Sequence, residues 1–176
     1  MNKRTLGQRI DYYLDQEEWS KARRLISYAR KNEPKSHWLL TRLNSAYLSE
    51  HRDLEALAAS KKAFKLAPHC PLILWDYANV LAILKQHQQA IRIWKKLLAR
   101  GVDRIAFDEC GEGLRWARSL VNDCLYRIGA SLGELGKPRL AQCYIQEHLS
   151  HRSPGTPSIY SRAFVKRRLK KKIRAV

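Results

Sequence analysis

Ala22, Ala56 and Ala90 lie 34 residues apart, and that spacing constrains the fold more than any other feature of the chain. The text around each alanine agrees: 17-EEWSKARRLISYARKNEP-34, 51-HRDLEALAASKKAFKLAP-68 and 85-KQHQQAIRIWKKLLARG-101. Pro34 and Pro68 close the first two blocks at the same interval. A fixed period of this length marks a stacked architecture, in which one small unit recurs because no single copy can bury its apolar surface.

Upstream of each block lies a second pattern of apolar residues at helical spacing: Leu6, Ile10, Tyr13 and Leu14; then Trp38, Leu40, Leu43, Tyr47 and Leu48; then Leu74, Tyr77, Ala78 and Leu81. Spacings of three and four place them on one helix face. The predicted unit is helix, polar turn, helix, with turns at 16–18, 50–52 and 85–87 that contain no glycine. Ser36 suits an N-cap and Pro71 a first helical turn. Taken alone, 88-QQAIRIWKKLLARG-101 reads as a basic amphipathic helix, suited to a membrane surface or a partner's groove. Within the repeat it becomes the second helix of the third unit, ended by Gly101.

A fourth unit follows after a longer interval. Leu125, Ile128, Gly129 and Leu132, then Ala141, Ile145 and Pro154, repeat the pattern, but Ala141 lies 51 residues after Ala90. The extra residues fall around 102-VDRIAFDECGEGLRWARSL-120. The part with Gly111, Gly113 and the acids Asp103, Asp108, Glu109 and Glu112 reads as an irregular loop insertion over 102–113. From Leu114 the pattern predicts a lengthened first helix.

These residues resemble the tetratricopeptide repeat (TPR) family, whose 34-residue unit pairs two antiparallel helices under a W-x2-L-G-x2-Y…A-x3-F…P pattern. The second unit matches as Leu40, Leu43, Asn44, Tyr47, Ala56, Ser60 and Pro68, and the third as Leu74, Tyr77, Ala78, Leu81, Ala90 and Trp94. The first matches as Leu6, Ile10, Tyr13, Ala22, Ile26 and Pro34, with Arg9 where the family prefers a buried leucine. The expectation is an all-α fold: an α-solenoid of about four TPR-like hairpins over 1–153, with units at about 3–34, 37–68, 71–101 and 114–153, and a basic C-terminal helix within 154–176. Small residues (Ala22, Ala56, Ala90, Ala141) would let paired helices approach, and bulky ones (Tyr13, Tyr47, Trp94, Leu132) would fill the space between hairpins.

Charge adds a second theme. Lys and Arg number 34 against 16 Asp and Glu, a net +18. Nine of those basic residues and none of the acids lie from Arg152 to Val176, so half the imbalance sits in the last seventh of the chain. An excess of this size attracts acidic proteins, nucleic acid or anionic membranes. The cations Lys166, Arg167, Arg168, Lys170, Lys171, Lys172 and Arg174 are candidates for polyanion binding, and the run KRRLKKKIR is too charged to be buried. Tyr160 and Phe164, at its start, suit a cap on the last hairpin. No stretch approaches the ~20 apolar residues needed to span a bilayer, and no apolar run follows the charged N-terminus as a secretory signal requires. The expectation is a cytoplasmic protein without membrane insertion.

The motifs H-E-x-x-H, G-x-x-x-x-G-K-[ST] and G-x-G-x-x-G do not occur. Cys70, Cys110, Cys124 and Cys143 are scattered without close pairing, which argues against a disulfide framework or a cysteine zinc site. Cys143, Glu147, His148 and His151 share part of one predicted helix face, but belong more naturally to the packing and rim of the last hairpin. No enzyme activity, cofactor or metal is expected.

The resemblance implies that the first helix of each hairpin lines a concave groove that takes up a peptide or partner protein. Carried onto this chain, the groove positions are Asp11 and Asp15 in the first unit, Trp38, Thr41 and Ser45 in the second, Trp75 and Asn79 in the third, and Tyr126 in the fourth. Two placements are open for Trp38 and Trp75: exposed anchors for a partner, or packing between hairpins. The family's clamp for C-terminal carboxylates is matched only by Asn79, with Gly7, Asp11 and Thr41 where other residues would be needed. Chaperones of bacterial secretion with this fold are similar in length and repeat number, but acidic. The expected function is non-catalytic protein binding, with the basic surplus favouring an acidic partner. The alternative is an RNA- or ribosome-associated factor that uses the basic C-terminal helix, with the solenoid as scaffold.

Overall fold

A computed structural model describes residues 5–152 and 156–173, with side chains as far as Leu169. The fold is all-α, and no strand occurs among the described residues. The chain divides into two compact units, Met1–Leu84 and Lys85–Val176. Unit 1 holds α1 (Leu6–Asp15), α2 (Trp19–Asn32), α3 (His37–Ser49), α4 (Asp53–Leu66) and α5 (Pro71–Ile83). Unit 2 holds α6 (His87–Leu98), α7 (Val102–Phe107), α8 (Leu114–Glu134), α9 (Pro138–Ser150) and α10 (Arg162–Ile173). The units part inside the third repeat, and the domain boundary expected at 153/154 lies outside the described residues.

The period of the sequence is also a period of the backbone. Glu17, His51 and Lys85, again 34 residues apart, all have positive φ, at 58°, 56° and 62°. Gly136 (φ 68°) occupies the matching place in the fourth hairpin. At three of these positions the turn is a Schellman closure, in which the left-handed residue and its successor donate back to carbonyls of the finished helix. Glu17 and Glu18 donate to Leu14 and Tyr13, His51 and Arg52 to Leu48 and Tyr47, and Gly136 and Lys137 to Gly133 and Leu132. Each following helix then starts from a residue with no side-chain cap (Glu18, Arg52, Gln86, Lys137). Two first helices are capped instead: Thr5 and Gln8 form a capping box on α1, and Ser36 accepts from the Leu39 amide on α3, while Pro71 opens α5.

Close approach within the hairpins rests on complementary sizes. Ala22, Ala56, Ala90 and Ala141 are all buried. In α8/α9 a Cβ added to Gly129 would come 2.7 Å from Ile145 Cγ1 and 3.0 Å from the Ala141 carbonyl oxygen, so only glycine allows α9 to sit this near. The position of Gly129 in the repeat belongs to Asn44 in α3. There the facing residue is the smaller Ser60, whose hydroxyl donates to Asn44 Oδ1 at 2.9 Å, so the buried amide oxygen is satisfied.

In unit 1, α1/α2 and α3/α4 pack as hairpins, α5 packs on α4, and the first helices α1, α3 and α5 lie side by side. In unit 2, α8 is the hub, meeting α6, α7 and α9. It runs for 21 residues, with Asn122, Asp123 and Ser131 buried among its apolar residues. The stretch expected as an irregular insertion is partly helical: α7 buries Ile105 and Ala106, and the loop after it returns to them, Gly113 donating to the Ala106 carbonyl at 3.1 Å. Burying those two apolar side chains is the reason six residues stay helical. Arg100 pairs with Asp108 at the start of the loop.

Candidate functional site

The side-by-side arrangement of α1, α3 and α5 gives unit 1 a face built from first helices. At its centre is Arg42 on α3. Its Nε lies 3.1 Å from Asp11 Oδ1 on α1, and its guanidinium sits over the Trp38 ring, 5.1 Å from the centroid. Trp38 is half-buried, with its ring edge against the α1 backbone, where a Cβ on Gly7 would touch at 3.4 Å. Asp76 on α5 completes the cluster. Burial pushes its carboxyl up to about 7, and the charge of Arg42 pulls the other way. The face thus offers an aromatic ring, one cation paired with the Asp11 carboxylate, and an acid that titrates near neutrality.

Unit 2 carries the same face on α8, and there the chain covers it. Residues 156–161 and α10 lie over Asp123, Tyr126, Arg127, Ala130 and Glu134. Asp123, in register with Leu72 and Trp38, accepts from the Ser158 hydroxyl and, at 3.1 Å, from the Ile159 amide. The Tyr126 ring packs at a tilt against Tyr160, with centroids 4.1 Å apart, and its hydroxyl accepts from Arg168 at 3.2 Å. The Arg127 guanidinium lies over the Tyr160 ring at 5.5 Å. Val165 is fully buried with Tyr126 and Ile145, flanked by Ala130, Leu149 and Leu169. Ser161 caps α10 by accepting from the Phe164 amide, and Arg152 donates to the Tyr160 carbonyl at 2.6 Å. Burial raises the Asp123 carboxyl, against the opposing effect of its two donors. It lowers His148, whose Nδ1 lies 2.9 Å from the Asn122 carbonyl oxygen.

The expected groove residues divide. Asp11, Trp38 and Ser45 lie on the unit 1 face with part of each side chain open to solvent, and Asp15 is exposed at the end of α1. Trp75 is half-buried. Three positions differ from expectation. Thr41 is buried and donates back to the Trp38 carbonyl at 2.7 Å. Asn79 is buried with no partner for its Oδ1 among the described residues. Tyr126, only 2% exposed, meets its own chain's C-terminal segment where a partner was expected. Arg42 and Asp76, each one residue beyond a chosen position, are the charged groups of the face that the sequence reading missed.

Of the tail cations, Lys166 and Arg167 are exposed on α10. Arg168 is bound to Tyr126 and lies 4.0 Å from Glu134. Arg174 lies outside the described residues, as do the side chains of Lys170, Lys171 and Lys172. The helix is seated through Val165 and Leu169 despite its charge, because those two apolar residues fall one turn apart. His148 is a core residue bonded to backbone, and Cys143 is exposed, so those two members of the metal pattern differ in environment. No described helix is long and apolar enough to cross a membrane.

In backbone, the chain is similar to the crystal structure of MamA, with a TM-score of 0.48 and 15% sequence identity over 86% of this chain and 96% of MamA. No protein-family profile matches the sequence, and no curated protein matches it.

Proposed function

We propose that this protein is a non-catalytic interaction module that binds a peptide or helix of a partner protein across α1, α3 and α5. One observation carries the reading: in the fourth hairpin the matching face already holds an irregular segment followed by a helix, supplied by the chain itself. There an aspartate takes backbone and hydroxyl donors, a tyrosine takes an aromatic ring, and an arginine closes over that ring. On α3 the corresponding face has an arginine over an aromatic ring, with Asp11 beside it. A bound segment would contribute an apolar or aromatic side chain to Trp38 and hydrogen-bond donors to Asp11 and Asp15. Aromatic and arginine side chains are the usual carriers of such binding energy. Asp11, Asp15 and Asp76 outnumber Arg42 here, so attraction of acidic partners falls to the basic second helices.

The test is co-purification of the full-length protein from its native cells, with and without nuclease. A photo-crosslinking residue at Ser45 captures the partner. Trp38→Ala with Asp11→Ala reduces its recovery on the order of tenfold or more, as loss of a hot spot does. An unchanged partner set in that variant sinks the reading.

A second reading, contact with RNA through α10, is favoured by the exposure of Lys166 and Arg167 in a segment without acids. Loss of salt-sensitive binding in a Lys166→Glu, Arg167→Glu variant would support it.

A further inference from the structure

A second surface of unit 1 has a composition that neither reading uses. Along one side of α2 run Ser20, Arg23, Arg24, Ser27, Tyr28 and Lys31, at the three-and-four spacing of a single helix face. Together with Tyr47 of α3 they line a concavity of about 390 Å³. Its lining contains no carboxylate and no aliphatic side chain, only cations, hydroxyls and aromatic rings. Arg23 is committed on one side: it bonds Glu50 at 2.8 Å and lies 5.7 Å from the Tyr47 ring. That pairing holds the wall of the concavity in place. Arg24 and Lys31 are exposed, with no ion-pair partner among the described residues. Between them stands Tyr28, 65% exposed, the most exposed tyrosine of the described chain.

Tyr28 presents an open ring face between two cations that make no ion pair among the described residues, a combination suited to a ligand with both flat rings and anionic groups. A peptide would look for an apolar anchor pocket, and the lining offers none. A single-stranded polynucleotide fits both features: phosphates meet Arg24 and Lys31, Ser20 and Ser27 donate to phosphate oxygens, and an unstacked base lies on Tyr28.

We infer that the α2 face, through Arg24, Tyr28 and Lys31, is a binding site for single-stranded nucleic acid. The site is independent of the groove on α1, α3 and α5 and of the cations of α10.

The test uses the full-length protein with a short fluorescent oligouridylate carrying 4-thiouridine, followed by anisotropy and photo-crosslinking. Tyr28→Ala weakens binding by roughly 5- to 150-fold, the range for loss of one stacked base, while Tyr28→Phe retains it. Arg24→Ala with Lys31→Ala lowers the slope of log affinity against log salt by roughly 1.4, about 0.7 for each lost phosphate contact on a single strand. The crosslink maps to the segment containing Tyr28. All three positions are solvent-facing, so circular dichroism melting of the variants stays at the parental value. Crosslinks confined to residues 162–176 would overturn the inference. So would a Tyr28→Ala variant that binds as the parent does, or equal affinity for a polyglutamate of the same charge, which would mark a generic surface for acidic protein.

Discussion

The faces of α3 and α8 occupy the same place in the repeat, yet among the described residues only that of α8 is covered by the chain's own C-terminal segment. On α8, Asp123, Tyr126 and Arg127 spend their hydrogen bonds and ring faces on residues 158–168. On α3, Arg42 lies over the Trp38 ring and beside Asp11, and both Trp38 and Arg42 keep a partly open side. The difference teaches that this face takes a segment when the segment brings an aromatic ring and backbone donors. Where such a segment is tethered, the residues beneath it serve stability; where it is not, they are the ones the proposed partner would use.

The largest test of that division is a pair of alanine variants. Tyr126→Ala removes a buried ring from between α8, α9 and α10, and should cost about 3–5 kcal/mol in chemical denaturation. Amide exchange over 156–169 should accelerate in the same variant, because the segment loses its seat. Trp38→Ala, at a half-buried site, should cost about 1 kcal/mol while reducing partner recovery. If both variants lose the same stability and neither changes binding, the faces do not differ in role.

Next in size is the inner side of the same two helices. Gly129→Ala drives a methyl group into Ile145 and the Ala141 carbonyl, and should destabilise the protein by about 1–3 kcal/mol. The paired change Gly129→Ala with Ile145→Ala should recover part of that loss by making room. At the matching site of α3, Asn44→Ala should act differently, by leaving Ser60 without its acceptor. Coupling between residues 129 and 145, read from a double-mutant cycle, checks the size-matching account.

The third prediction concerns charge. The carboxyl of Asp76 titrates at about 7 in the folded protein and near 3.8 when unfolded. Between about pH 4 and pH 7 the folded state therefore holds more protons than the unfolded one, so stability falls as pH rises through that window and levels off above it. Asp76→Asn should flatten this slope, seen as equal urea midpoints on either side of the window. Arg42→Ala should extend the window upward, since Arg42 is the charge that favours the ionised form. Asp123 is also raised by burial, but its two donors belong to the tethered segment. Its effect on pH dependence should vanish together with α10 docking in the Tyr126→Ala variant.

Much of the fold was legible because its period is carried by residues that packing cannot exchange freely: Ala22, Ala56, Ala90 and Ala141 at the close crossings, and Gly129 against Ile145. The six residues of α7 escaped because one and a half turns are too few to show a helical period, and the nearby glycines and acids spoke for a loop. Docking of α10 was half legible. Tyr160 and Phe164 suggested a cap, whereas Val165 and Leu169 are too few to announce a buried stripe among seven cations. The groove was aimed about 100° off in two helices, one residue's rotation. Thr41 and Tyr126 turn inward or under the tail, and their successors Arg42 and Arg127 reach over the aromatic rings. Nothing in a single sequence fixes that rotation, because Thr41 and Arg42 are both polar and either could have faced out.

The smallest expected effect lies in the turns, where the two hairpins share geometry but differ in chemistry. His51 and Gly136 both adopt a left-handed backbone to close their helices, at φ 56° and 68°. Glycine enters that region without steric cost, whereas a residue with a Cβ does not. His51→Gly should therefore raise stability by about 0.5–1 kcal/mol, partly offset by the greater freedom glycine has in the unfolded chain. Gly136→Ala should lower it by a similar amount. Because His51 is exposed and touches no binding face, its substitution should leave partner recovery unchanged, so a rise in stability measured by denaturation isolates the backbone contribution. If His51→Gly instead destabilises the protein, the imidazole is doing something that the turn alone does not require, and the equivalence of the two hairpins fails at its simplest point.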